Sequence, residues 1–253
     1  GVFLMKYITA TIDNGEKNTY SKWNGKHINE SDLDSVVRVT ENTAIMKPGV
    51  SLDGSDVPLA YIITNVFPND TVRDCLASIE DDSIMRANCS GPIDPVEMKS
   101  KGLIEGEDYK LRTPNSYYTR KKNGGWGMIA YANSIRSVMI GYKRGRFTGG
   151  IDSSGWTKSH PKEFEVLHDI SEYNDIAFQK ANPTIYNKQK KFAENNIQQH
   201  HRMGSFTTLS ANRYHAGQTG QMSCHVDSGD TEFGMTTMCV FREGDYEGAY
   251  LSF

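Results

Sequence analysis

Cys224-His225-Val226-Asp227-Ser228-Gly229-Asp230 is the stretch on which the fold reading turns. It follows a β-like run, 206–214, and a polar, Gly-containing turn, 215–221. On an extended strand, residues two apart point to the same side. His225 and Asp227 therefore converge and offer one imidazole nitrogen and one carboxylate oxygen to a common point. That donor pair is two thirds of a 2-His-1-carboxylate facial triad for non-haem Fe(II), which leaves open positions for other ligands. The alternative for His-x-Asp is a turn whose Asp accepts from backbone amides. Cys224 faces the opposite side from His225 and reads as a small buried hydrophobe.

The surrounding chain frames this pair with helices first and strands later. Residues 58–69 read as a buried strand ending at Pro68. Asp70 is expected to cap a helix running to Glu80, with Val72, Cys75, Leu76 and Ile79 on one face. A long helix is predicted over 159–181, with Ser159 as N-cap, Pro161 in the first turn, and Glu163 and Glu165 at the positive end of its dipole. Pro183 breaks it, and a second helix runs over 185–198. Strands are predicted at 205–214, 222–227, 235–241 and 249–253. His168 on its helix face reads as structural. His200 and His201 read as cations at a helix C-terminus, and His215 as a neighbour of the pocket. These features predict an α+β chain with a jelly-roll-like double sheet backed by helices. Residues 1–150 form a mixed, β-rich region that is either separate or part of the same unit, and 151–253 hold the helices and the first half of the sheet core.

Composition narrows the class. The 253 residues are 37% hydrophobic, with mean hydropathy −0.57 and formal net charge −3. No apolar run reaches the ~18 residues of a membrane helix. Four cysteines without a CxxC pattern predict reduced thiols and an intracellular protein of cytoplasm or nucleus. The chain begins without Met and ends inside a strand-like pattern, so it is expected to be a C-terminally truncated piece of a longer one.

Charge is unevenly distributed. Residues 109–151 contain no Asp or Glu but nine Lys and Arg, leaving 19 basic against 31 acidic residues elsewhere. Tyr117, Tyr118, Trp126, Tyr131, Tyr142 and Phe147 are interleaved with the cations. One reading is a solvated basic surface over core aromatics. The other is a DNA- or RNA-binding segment in which Arg120, Lys121, Lys122, Lys143, Arg144 and Arg146 meet phosphates and Trp126 stacks on or wedges between bases.

The run Asn212-Arg-Tyr-His-Ala-Gly-Gln-Thr-Gly-Gln-Met-Ser-Cys-His225-Val-Asp227-Ser-Gly-Asp230, with Gly234-Met-Thr-Thr-Met-Cys-Val-Phe241 and Gly244-Asp-Tyr-Glu-Gly248 after it, resembles the Fe(II)/2-oxoglutarate-dependent dioxygenases. Within that superfamily it looks most like the TET/JBP branch, which oxidises methylated or thymine bases in nucleic acid. Prolyl-hydroxylase-like enzymes share a similar core. The resemblance covers residues 204–253, and it implies a double-stranded β-helix. His225 and Asp227 would be catalytic iron ligands, and Asn212, Tyr214 and Thr237 would hold 2-oxoglutarate. O₂ would be the oxidant, with Asp230 or Ser228 hydrogen-bonding the ligands. The family's distal His, and the Arg or Lys that binds the far carboxylate of 2-oxoglutarate, are expected beyond residue 253. A non-catalytic binding module with the same fold is the alternative to an enzyme.

Overall fold

The computed structural model describes residues 5–9, 38–47, 57–80, 86–87, 109–113, 116–120, 126–128, 136–145, 149–213 and 233–241. In chain order these hold β1 (Lys6–Thr9), β2 (Thr43–Lys47), β3 (Val57–Ile62), α1 (Asn69–Ser78), β4 (Arg86–Ala87), β5 (Tyr109–Thr113), β6 (Ser116–Arg120) and β7 (Trp126–Met128). They continue with β8 (Arg136–Arg144), β9 (Ile151–Ser153), α2 (Gly155–Ser159), α3 (Pro161–Ala181), α4 (Pro183–Asn196), a 3-10 turn (Gln199–His201) and β10 (Thr208–Arg213). The architecture is α+β. Three small sheets run β1-β2-β3, β10-β8-β4 with β9 beside β8, and β5-β6-β7.

The sheet built on β8 is backed by helices. Val138 and Ile140 of β8, with Leu209 and Ala211 of β10, turn one face onto Cys75 of α1 and onto Leu167 and Ile170 of α3. Trp156 of α2 closes the cluster. The cluster thus draws on residues both before and after position 150. Residues between those inward positions are the outward ones, as period-2 alternation requires: Met139 is exposed on β8, and Ser210 and Asn212 are exposed on β10.

β8 changes partner at Gly141. Below it, 136–141 pair with β10, and above it 142–144 pair with β9. Gly141 takes φ +89°, the region that glycine alone enters without strain. Its N–H donates to Thr157 Oγ1 at 2.8 Å, and its carbonyl accepts from Ser154 N–H at 2.8 Å. Ser154 caps α2 by accepting from Thr157 N–H at 3.1 Å. One glycine therefore ties strand, cap and helix together.

The helices start differently from the sequence expectation in three places. Ser159 ends α2 rather than capping the long helix, which begins at Pro161 with His160 as N-cap. α1 has Pro68 at its N-cap, and Asp70 sits in its first turn and accepts from Thr71 N–H at 2.9 Å. α4 starts at Pro183, where Asn182 accepts from Ile185 N–H at 3.0 Å. That Pro ends one helix and opens the next, because its missing N–H and fixed φ suit a first turn.

Buried polar groups join α3 to the chain entering β10. Asp175 accepts from Ser205 N–H at 3.0 Å and from Tyr186 O–H at 3.3 Å. Lys190 Nζ donates to Tyr186 Oη at 2.8 Å. Gly204 (φ +62°) lies so close that a Cβ there would stand 2.8 Å from the Asp175 carboxylate.

Burial pushes the Cys75 thiol up to about 11 from its ordinary 9.0, helped by the carboxylates of Asp169 and Asp74. The folded chain then keeps a proton that the unfolded chain has released across pH 9 to 11. Stability falls as pH rises through that window, by about 2 kcal/mol from this group. Urea midpoints measured at pH 8.5 and 10.5 should show this drop, and Cys75→Ala should reduce it.

Candidate functional site

β10, in the helix-backed sheet, is the last described strand before the His-x-Asp motif in sequence. Its alternation fixes which residues face away from the helices. Arg213 turns inward, where its guanidinium donates to Ile79 O at 3.0 Å and to Glu80 O. That contact places a cation on the carbonyl end of α1. Asn212 turns outward, onto the face opposite α1 and α3. Pairing sets Asn212 opposite Ser137 of β8, and Ser137 opposite Arg86 of β4. Asn212, Ser137 and Arg86 thus form one cross-strand row, and the strands lie about 4.8 Å apart. Sequence reasoning missed Arg86, because a two-residue strand bordered by loop-like sequence gives no periodic signal.

Tyr214, His225 and Asp227 lie outside the described residues, as do Asp230, Ser228, His215 and Cys224. Thr237 is described, in a segment outside any strand. The strand expected over 235–241 is therefore not formed, although its side chains still alternate. Met235, Thr237, Cys239 and Phe241 are half-buried, whereas Thr236, Met238 and Val240 are exposed. Cys239 Sγ donates to Asn174 Oδ1 at 3.1 Å, and the Phe241 ring meets Phe67 edge-on at 5.0 Å. Met235 N–H donates to Gln189 Oε1 at 2.9 Å. The half-buried set, with Thr237 in it, thus faces the helices.

Among the described residues, the histidines outside the motif have structural partners. His168 Nε2 is 3.2 Å from Arg202 O. His201 lies in a 3-10 turn, not at the end of α4, with its ring 5.0 Å from that of Tyr142. Among the described residues no three His, Cys, Asp or Glu side chains gather to hold a metal. A shallow cleft of about 180 Å³ between the β3–α1 connection and α3 is lined by Asn42, Thr64, Asn65, Tyr173, Ile176 and Lys180 among others. Its lining holds no His, Cys, Asp or Glu.

The basic segment divides in space. Lys143 and Arg144 are exposed near the end of β8, but Lys143 pairs directly with Asp152 of β9. The acid that follows the acid-free span folds back onto it, so this end carries mixed charge. Arg120 and Trp126 are paired neighbours on β6 and β7. Lys121, Lys122 and Arg146 lie outside the described residues. Among the described residues no helix is long and apolar enough to cross a membrane. No protein-family model, curated protein or solved structure matches the chain.

Proposed function

We propose that this chain carries the His-x-Asp ligand pair of an Fe(II)/2-oxoglutarate-dependent dioxygenase, acting on a C–H bond of a methylated or thymine base in nucleic acid, on a double-stranded β-helix. The observation that carries the reading is positional. The strand entering the His225-x-Asp227 motif belongs to a sheet backed by helices on one face, and Asn212 lies on the other. A β-helix of this kind keeps its chemistry on the helix-distal side.

The donor set suits the metal. A neutral imidazole and a carboxylate are borderline and hard donors that ferrous iron accepts, and two protein ligands with a third elsewhere leave room for a chelating cosubstrate. Bound iron with 2-oxoglutarate and O₂ supplies the oxidising equivalent for C–H hydroxylation. The chain's own residues supply position. Asn212 offers an amide to a cosubstrate carboxylate. Thr237, half-buried in the 233–241 segment, is the other described candidate for holding the cosubstrate.

Succinate release tests the reading. The full-length protein, supplied with Fe(II), 2-oxoglutarate and O₂, is expected to form succinate faster with DNA or RNA carrying methylated bases than with proline-containing peptides. Stimulation by peptides alone would move the substrate to protein. No succinate under any condition would leave a binding module.

A further inference from the structure

We infer that the cleft between the β3–α1 connection and α3 is a binding site for a small aliphatic monocarboxylate, an inference independent of the dioxygenase reading. One wall is a stripe of α3 made by Tyr173, Ile176, Ala177 and Lys180. Their i, i+3, i+4, i+7 spacing sets them on one side of the helix. The side of α3 that enters the core is a different one, carrying Leu167, Ile170, Asn174 and Phe178. The other wall is the connection 63–66, with Asn42 beside it. The two residues that bracket this connection, Tyr61 and Phe67, are each tied to α3. Tyr61 Oη accepts from Asn182 Nδ2, in the cap of α3, at 3.1 Å. The Phe67 ring meets Tyr173 edge-on, with 5.7 Å between centroids. Asn42 Oδ1 fixes the connection itself by accepting from Thr64 N–H at 2.8 Å and Thr64 Oγ1 at 3.2 Å. The walls are therefore in place before any ligand arrives, as in most small-molecule sites.

The lining offers donors and apolar surface with no acid to neutralise them. Among the described residues the Lys180 ammonium and the Asn42 Nδ2 have no hydrogen-bond partner. Beside them Ile176 is 49% exposed, a large apolar side chain left at the surface. A carboxylate satisfies the cation and the amide together, while an alkyl chain covers Ile176 and Val66 and removes their apolar area from water. Lys180 is the one cation of the lining, so the ligand carries one carboxylate. A second would lie against Ile63, Val66 and Ala177 and lose its hydration without a partner. The volume of about 180 Å³ falls below the roughly 300–1,000 Å³ of sites for drug-sized ligands, which keeps the alkyl chain short.

Saturation-transfer NMR with pentanoate, on the full chain without Fe(II) or 2-oxoglutarate, tests the site separately from catalysis. The expected Kd is about 0.1–1 mM, within reach of a well-seated ligand of this size. Pentanol, with the same chain and no charge, should bind about 10-fold more weakly, and so should succinate. Lys180→Met keeps the aliphatic stem and removes the charge. It should weaken pentanoate about 10-fold and leave pentanol unchanged. Asn42→Asp keeps the acceptor for Thr64 but sets a negative charge where the donor was, and should weaken pentanoate at least as much. Lys162→Met, in the first turn of α3 and outside the lining, should change affinity less than about twofold. No saturation transfer to pentanoate in the parent chain, equal affinities for pentanoate and pentanol, or equal losses at Lys162 and Lys180 would overturn the inference. Pentanoate binding by a chain that takes up no iron would leave the cleft site standing and remove the dioxygenase reading.

Discussion

Gly141→Ala is expected to destabilise the chain by about 3–4 kcal/mol, a large share of the ~5–15 kcal/mol that holds a typical domain together. Two costs add. The backbone at φ +89° is one an L side chain adopts only at about 1–2 kcal/mol. The new methyl would also stand 2.6 Å from Thr207 O and 2.8 Å from Met203 Sδ. Met203 can rotate, but Thr207 O is backbone and accepts from Tyr142 N–H at 2.8 Å. Relief therefore means separating β8 from the residue that leads into β10, with a further overpacking cost of about 1–3 kcal/mol. The melting temperature should fall by about 10 °C. Gly149→Ala is the matched control, since it has φ +67° with nothing within 4 Å of an added Cβ. It should lose only the conformational part, about 1 kcal/mol. Equal melting temperatures for the two variants would mean that β8 does not bend against Thr207.

On the proposed reading, His225→Ala in the full-length protein is expected to lower Fe(II)-dependent succinate formation by more than about 100-fold. Groups that merely hydrogen-bond a metal's ligands are worth about 10–100-fold, and removing a ligand costs more. Asp230→Asn, as such a neighbour, should fall within the smaller range. Cys224→Ala, one residue away but on the opposite side of an extended strand, should remain within about threefold of the parent. The order of effects is what discriminates. A chain in which Cys224→Ala is as damaging as His225→Ala does not present an extended His-x-Asp pair.

The long helices were legible because Pro, Asn and apolar spacing punctuate them locally. Pro183 marks both the end of α3 and the start of α4, and the 70–80 helix buries Cys75 as its periodicity requires. The errors lie at junctions, where competing caps decide. Ser159 has the chemistry of an N-cap, but Ser154 is the residue whose hydroxyl reaches a free amide, because Gly141 fixes Thr157 beside it. The 235–241 segment shows why alternation alone does not make a strand. Its period-2 burial comes from lying over α3 and α4, with its described hydrogen bonds going to Asn174 and Gln189 side chains rather than to a ladder.

The candidate site was legible as chemistry but not as geometry. His225 and Asp227 stand out in the sequence as a possible imidazole–carboxylate donor pair two positions apart. Which side Asn212 faces depends on β10 pairing with β8, a contact across about seventy residues that no local pattern encodes. The same limit governs charge. The acid-free run ends one residue before Asp152, and only the β8–β9 hairpin shows that this acid returns to Lys143. Backbone register likewise sets position 120 opposite position 126, which the sequence separates by six.

Anaerobic equilibrium dialysis of Fe(II) against the protein, with 2-oxoglutarate present, is the most direct test of the metal claim. One ferrous ion per chain is the expected result, lost in both His225→Ala and Asp227→Ala and retained in Cys224→Ala. No uptake by the parent protein, or uptake indifferent to both substitutions, would contradict it.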